Sequence, residues 1–528
     1  MTPPPPAMLW LALHLPSLPL EAFCATLPPA DAARPVALLA DHRVSQVNTA
    51  AAERGLRPGI KRATALALVA DLLIGDSHAG REAAALQAAV HAALAFTPAV
   101  TQQDAQTVLL DVQASLRLFG GLAALQQQLQ AALAPLGHRV QMAAAPTALG
   151  AALLAQWFPR APTGRGDLVL GAHATRLPAL QALLVEAPVW LLGPGREHWD
   201  ALQGMGLHTL SDLRALPRTG LARRFGAGLL DDLDRALGLQ ADPRRWLELP
   251  AAFDSRLELF ARADTTEQVL HGASVLLARL VAWAQARHAR VAAFTLRMLH
   301  ERARHSATPA TELRIELAEP ALDAGHLQSL LRERLARLQL IAPTLDLQLH
   351  CSQLVAGHLP NAELFPTRAS EAEGLTRLLE RLRARLGDAQ VQHLVPVADH
   401  RPEHASHAVP LPVQGSGASG PAHAPALAAT LAAAAASTLP LHRPAWLLPE
   451  PLPLAERDAL PLLQGRPLQL VSGPERIETG WWDGASVARD YFIAAAEDGS
   501  LVWVYRDRLP SALNMPGEPH WFLQGRFA

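Results

Sequence analysis

Over residues 8–165, strand-length apolar runs alternate with Ala- and Leu-rich stretches of helical spacing, and few folds accept that order. MLWLALHL at 8–15, PVALLA at 35–40, TVLLDV at 107–112 and HRVQMAAA at 138–145 read as strands. Residues 49–70, 79–95, 120–135 and 147–157 read as helices. Short connections between them predict a mixed α/β domain.

The pattern then changes. Over 175–247, short helical stretches are punctuated by glycine (LLGPG, LQGMGLHTLSDLRALP, RRFGAGLL), which predicts a small helical domain. Over 250–398 the order of expected elements approaches a split β-α-β-β-α-β layout. Residues 400–445 are rich in Ala, Pro, Gly, Ser and His, too poor in large apolar groups to offset their ordering entropy, and read as a disordered linker. Residues 446–528 hold both tyrosines of the chain and Trp481, Trp482, Trp503 and Trp521, and predict a small C-terminal partner-binding module.

Composition narrows the function. The net charge is −2, so contact with nucleic acid must come from local patches. Cys24 and Cys351 form no disulfide framework or zinc spacing, which fits a reducing, cytoplasmic setting. The apolar N-terminus has no basic n-region and is interrupted by Pro16 and Pro19, so a buried strand is expected there and not a signal peptide. No membrane-spanning run is read in the sequence.

The order α/β domain, Gly-punctuated helices, split βαββαβ layout resembles the Y-family translesion DNA polymerases. RPVALLADHRVSQVNTAAAERGLRPGI, with Gly55 and Gly59, looks like the start of that family's fingers. TVLLDV followed by LRLFGG looks like its third palm motif, and VQMAAAPTALGAALLAQ like the strand-helix unit after it. The resemblance implies an α/β multidomain fold: palm and fingers over 8–165, a helix-hairpin-helix thumb over 175–247, and a little finger over 250–398.

The family's reaction needs two Mg²⁺ ions held by clustered carboxylates. The resemblance places those acids at positions held here by His14 and Pro16 in the first strand, and by Gln106 and Thr107 in the third motif. It places the triphosphate contacts at Thr49, Ala52, Ala148 and Ala152, none of which carries a cation. Asp104 and Asp111 are scattered acids, expected to cap or pair structurally. The chain therefore reads as a pseudo-polymerase without metal or organic cofactor. An active polymerase with a rearranged metal site is the alternative, and a DNA- or clamp-binding regulator a third reading.

DNA contact is expected from Gly204 and Gly206, whose backbone can approach phosphate, and from Arg214, Arg218, Arg223 and Arg224. Arg297, Arg302 and Arg304 are the matching expectation in the little finger. In LPNAELFPTR, Asn361, Leu364 and Phe365 resemble a bacterial sliding-clamp ligand. The tail resembles the polymerase-like subunit of bacterial, SOS-type mutagenesis complexes. That likeness implies partners: a RecA-like accessory protein and an error-prone C-family polymerase, reached through Trp481, Trp482, Tyr491 and Trp521.

Overall fold

A computed structural model describes residues 8–157, 168–301, 310–356, 368–411, 443–508 and 520–527. Two compact units divide the chain, Met1–Arg385 and Leu386–Ala528.

The first unit opens with β1 (Trp10–His14) and α1 (Leu18–Cys24). β2 (Val36–Ala40), β3 (Arg43–Val47) and, past α2 (Thr49–Glu53) and α3 (Arg62–Leu68), β4 (Leu73–Asp76) form a small sheet of order β3-β2-β4. The single helix expected over 49–70 is two short ones, because Gly55 and Gly59 take positive φ between them (87° and 92°). α4 (Ala79–Leu94) leads to the hairpin β5 (Val100–Asp104) and β6 (Thr107–Asp111). After α5 (Leu122–Leu133) come β7 (Val140–Ala145), α6 (Ala148–Trp157) and β8 (Leu168–His173). The main sheet runs β5-β6-β1-β7-β8. β1 lies antiparallel between β6 and β7 and is nearly wholly buried, which is why its sequence is a continuous apolar run and not an alternation. Leu11, Leu13, Val108 and Leu110 pack on α4 and α5; Trp10, Ala12, Leu109 and Ala143 pack on α6 and the helices after it.

Those helices are α7 (Leu177–Leu184), α8 (Gly193–Glu197), α9 (Trp199–Gly204), α10 (Leu210–Ala215), α11 (Arg218–Phe225) and α12 (Ala227–Ala236). Next come β9 (Phe253–Ala263), α13 (Thr266–Ala286), β10 (Ala289–His300), β11 (Ala310–Ala321), α14 (Ala324–Ala336) and β12 (Thr344–Ala356), then α15 (Arg368–Leu386). The sheet order is β11-β10-β12-β9, every neighbour antiparallel. α13 is long and apolar enough to cross a membrane, contrary to the expectation that nothing in the chain would be. Its apolar length is used internally: Val269, Leu276, Leu280 and Trp283 are buried in the core beneath the sheet.

The second unit pairs β13 (Gln392–Pro396) with β14 (Ser406–Pro410). It also holds a seven-stranded sheet. Its strands are β15 (Trp446–Arg457), β16 (Leu460–Leu463), β17 (Arg466–Pro467), β18 (Gln469–Thr479), β19 (Val487–Ala495), β20 (Leu501–Asp507) and β21 (Trp521–Arg526). The linker expected from residue 400 starts too early, since 402–410 fold here. Two ionic anchors explain this: Glu403 pairs with Arg489 at 2.8 Å, and Arg401 with Asp483 at 2.6 Å.

One buried titratable group sets an acid limit on the first unit. His91 of α4 is 5% exposed, and its Nδ1 has no partner. Burial holds its pKa down at about 4, below the ordinary 6.5. The folded state thus favours the neutral ring, so this stability is complete above pH ~6.5 and is lost as pH falls toward 4. The loss is about 2 kcal/mol at pH 5. His91→Leu is expected to remove that share of the fall in urea midpoint between neutral pH and pH 5. An unchanged pH profile in the variant contradicts the assignment.

Candidate palm site and nucleic-acid interface

The strand register brings three polar residues into one row across the main sheet: Thr107 on β6, His14 on β1 and Gln141 on β7. They share the α6 side of the sheet with Ala12, Leu109 and Ala143. His14 Nδ1 and Thr107 Oγ1 are 3.0 Å apart. Gln156, at the end of α6, donates from Nε2 to Thr107 Oγ1 (3.2 Å) and to Asp104 Oδ2 (3.0 Å). The Thr107 hydroxyl thus accepts from Gln156 and shares a second hydrogen bond with His14 Nδ1. Gln141 is 2% exposed, and its Nε2 has no partner. The row holds no carboxylate.

The two nearby acids serve the backbone. Asp104 Oδ1 accepts from the Gln106 N–H at 2.8 Å, closing the β5–β6 turn. Asp111 Oδ1 accepts from the Gln113 N–H at 3.1 Å. Asp104 ends β5 opposite Thr107 and Asp111 ends β6, so they lie about 13 Å apart along the hairpin. Two Mg²⁺ ions need several oxygen anions converging on one point, and these residues do not fit them. Among the described residues, no three His, Cys, Asp or Glu side chains cluster as a metal site. Pro16 turns the chain between β1 and α1 and offers no side-chain ligand.

Of the positions expected to have lost nucleotide contacts, Thr49 and Ala52 lie one turn apart on α2, exposed and half-buried. Ala148 and Ala152 are fully buried in the core that α6 shares with α7–α12. A cation at either place would have to displace packed apolar groups.

On the helical segment, Gly206 makes the α9–α10 turn with φ 78°, while Gly204 ends α9 in ordinary helix. Thr209 and Asp212 then close a capping box at the start of α10. Arg214, Arg223 and Arg224 are exposed and carry no ion pair among the described residues. Arg218 differs: a bidentate pair with Asp234 offsets its charge and raises its pKa. It is therefore removed from the set of free phosphate contacts.

The outward face of the β11-β10-β12-β9 sheet holds Arg297 among charges of both signs. By register and alternation it carries Arg256, Arg262, Arg297, Arg314 and His350 beside Asp254, Glu258, Glu312, Glu316 and Asp346. Each cation is answered locally. Arg297 faces Glu312 at 3.6 Å, Arg314 faces Glu316 at 2.8 Å, and Arg256 pairs with Asp346. A phosphate reaching Arg297 would have to compete with Glu312. Arg302, Arg304, Asn361, Leu364 and Phe365 lie outside the described residues.

The aromatic tail splits in two. Tyr491 and Trp521 are 1% and 3% exposed and belong to cores, which removes them as partner contacts. Tyr491 stacks on Trp503 at 4.1 Å and donates to Gln524 Oε1 at 2.6 Å. Trp481 and Trp482 are 74% and 56% exposed, on a turn between Gly480 and Gly484. A Cβ on Gly480 would come within 2.4 Å of the Ala485 carbonyl oxygen. Arg401 fixes the turn from behind, donating to Asp483 and to the Ala485 carbonyl (3.3 Å), with its guanidinium 5.9 Å from the Trp482 ring centre. Its hydrogen bonds to Asp399 and Asp483 raise its pKa and hold the Asp399 carboxyl down at about 2.

Residues 22–156 match the impB/mucB/samB family. Protein ImuB of Caulobacter vibrioides is 28% identical over 495 residues, covering 90% of this chain and 100% of that protein. The chain is thus similar to ImuB along most of its length, and to the impB/mucB/samB family over its first domain. Among solved structures, a Dbh ternary complex aligns over 66% of this chain and 100% of its own, at 15% identity and a TM-score of 0.37. DinB from Sulfolobus solfataricus aligns over 66% and 99%, at 15% identity and a TM-score of 0.35.

Two features of this ImuB-like chain escaped the sequence reading. Gly195 is required sterically, because a Cβ there would lie 2.2 Å from the Val189 carbonyl oxygen. The LLGPG stretch was its signal. Arg43, Lys61 and Arg62 gather on the small first sheet, where Arg43 bridges to Lys61 and donates to the Gly59 carbonyl at 2.9 Å. All three are exposed. They are 18 or more residues apart at the extremes in sequence, and only the bridge brings them together.

Proposed function

We propose that this chain is a non-catalytic, polymerase-like scaffold in SOS-type mutagenic translesion synthesis and DNA repair. It would bind primer-template DNA without sequence preference and bring an error-prone C-family polymerase to the sliding clamp. The observation that carries this reading is the hydrogen bond between His14 and Thr107: a pair without a carboxylate stands where a polymerase of this family needs anionic oxygens. ImuB similarity over nearly the whole chain supports the setting. The RecA-like accessory protein ImuA and the C-family polymerase would dock on the second unit, through Trp481 and Trp482. The segment with Asn361, Leu364 and Phe365 would engage the clamp. Such a complex works in the bacterial cytoplasm, at the nucleoid.

DNA contact would rest on the helical segment 177–236 as thumb, through Gly206, Arg214, Arg223 and Arg224, with Arg43, Lys61 and Arg62 as a second basic patch. Replacing Arg214, Arg223 and Arg224 together by Ala is expected to weaken binding to primed duplex about 10- to 100-fold. It should also flatten the log–log salt slope by about 2–3, one counterion per lost phosphate contact. Arg297→Ala, already answered by Glu312, should leave both quantities unchanged. Fluorescence anisotropy over a salt series measures both. If the triple variant keeps the wild-type slope, the thumb is not the contact surface.

A further inference from the structure

α15 is turned the opposite way from an ordinary surface helix. The side it presents to its own domain is largely polar: Glu380 and Arg383 are 6% and 7% exposed, beside Ala384 at 2%. Glu380 anchors the helix, taking hydrogen bonds from the Glu319 N–H (3.1 Å) and, across 2.7 Å, from His326 Nε2. The opposite side holds Leu375, Leu378 and Leu382, exposed by 49%, 51% and 36%. Their spacing of i, i+3 and i+7 makes a continuous apolar stripe. At 100° per residue, Arg377, Arg381 and Arg385 form a second row along one edge of that stripe. Arg377 reaches Asp323 at 3.9 Å. Arg381 and Arg385 are exposed and have no ion pair among the described residues.

We infer that this face of α15 docks an amphipathic helix of another protein, one with an apolar seam bordered by acidic residues. The Leu stripe supplies the area and the Arg row supplies register and selectivity, as flanking charges do between paired helices. A second copy of this chain is disfavoured as the occupant: antiparallel pairing about a two-fold axis would set the Arg row against itself. The inference stands apart from the palm and does not depend on whether the chain polymerises.

The probe is a fluorescein-labelled synthetic helix with Leu along its seam and Glu along one edge, titrated with the full chain and read by anisotropy. A peptide with Lys in place of Glu is the control. The Glu peptide is expected to bind at least about tenfold more tightly than the Lys peptide. Leu378→Glu combined with Leu382→Glu should weaken it at least about 30-fold. Both leucines are exposed, so the unfolding midpoint should stay unchanged. Arg381→Glu with Arg385→Glu should reverse the peptide preference. Failure of the Glu peptide to bind, equal binding of both peptides, or affinity unaffected by the Leu changes overturns the inference. A chain that sediments as a dimer and becomes monomeric in the Leu variant overturns it in favour of a second copy.

Discussion

Purified chain given primed template, deoxynucleoside triphosphates and Mg²⁺ or Mn²⁺ is expected to add no templated nucleotide. The reason is electrostatic. Each metal ion in such a reaction supplies several kcal/mol of charge stabilisation, and losing about 7 kcal/mol slows a reaction about 10⁵-fold. His14, Thr107 and Gln156 are joined by hydrogen bonds and have no negative charge to offer a cation. Asp104 and Asp111 already accept backbone hydrogen bonds at opposite ends of the β5–β6 hairpin. Asp104→Asn and Asp111→Asn should therefore leave the blank result unchanged. Restoring single acids, His14→Asp or Thr107→Glu, should not create activity either, since one carboxylate does not hold two ions. Extension by the natural chain, lost on changing either Asp, would end the scaffold reading.

Truncating the tail aromatics is expected to separate binding from folding. Trp481→Ala with Trp482→Ala removes two exposed rings from a turn fixed by Gly480 and Arg401. If that turn is the partner contact, affinity should fall at least about 100-fold, since buried Trp anchors commonly contribute 2 kcal/mol or more each. The thermal midpoint of the second unit should hold. Tyr491→Ala should do the reverse, destabilising by about 3–5 kcal/mol through loss of its stacking on Trp503. It also strands a buried network of Arg489, Gln524 and Glu403. Partner loss there would follow unfolding, visible by circular dichroism. Tyr491→Phe keeps the ring and should retain partner affinity while costing about 1–2 kcal/mol. A double-Trp variant that still captures the polymerase and accessory partners at natural affinity would remove the turn from the interface.

Much of the architecture was legible because it depends on local signals. β1, β6 and β7 are apolar runs of strand length, and buried strands need little else. The break between α2 and α3 was written in Gly55 and Gly59, yet the Ala-rich flanks carried a helical reading across it. β3 through β5 and β13–β14 were not read, because partly polar edge strands lack a clean alternation and are held by pairing. The poverty of the palm in acids was likewise plain: a carboxylate absent from the sequence cannot be supplied by folding.

Which side each charge and ring faces was decided elsewhere. Arg218 and Arg297 look alike as residues, and each faces an acid that the fold brings near: Asp234 in a bidentate pair, Glu312 at 3.6 Å. Tyr491 and Trp481 are both aromatic residues of one tail, ten positions apart, and sheet packing alone buries the first and leaves the second in water. Glu380 and Leu378 exchange their usual places on α15 because His326 and the β11 backbone bind the carboxylate more strongly than leucine would be bound there. Residue type sets what a side chain can do, and long-range pairing sets whether its charge or its surface remains available to anything outside the molecule.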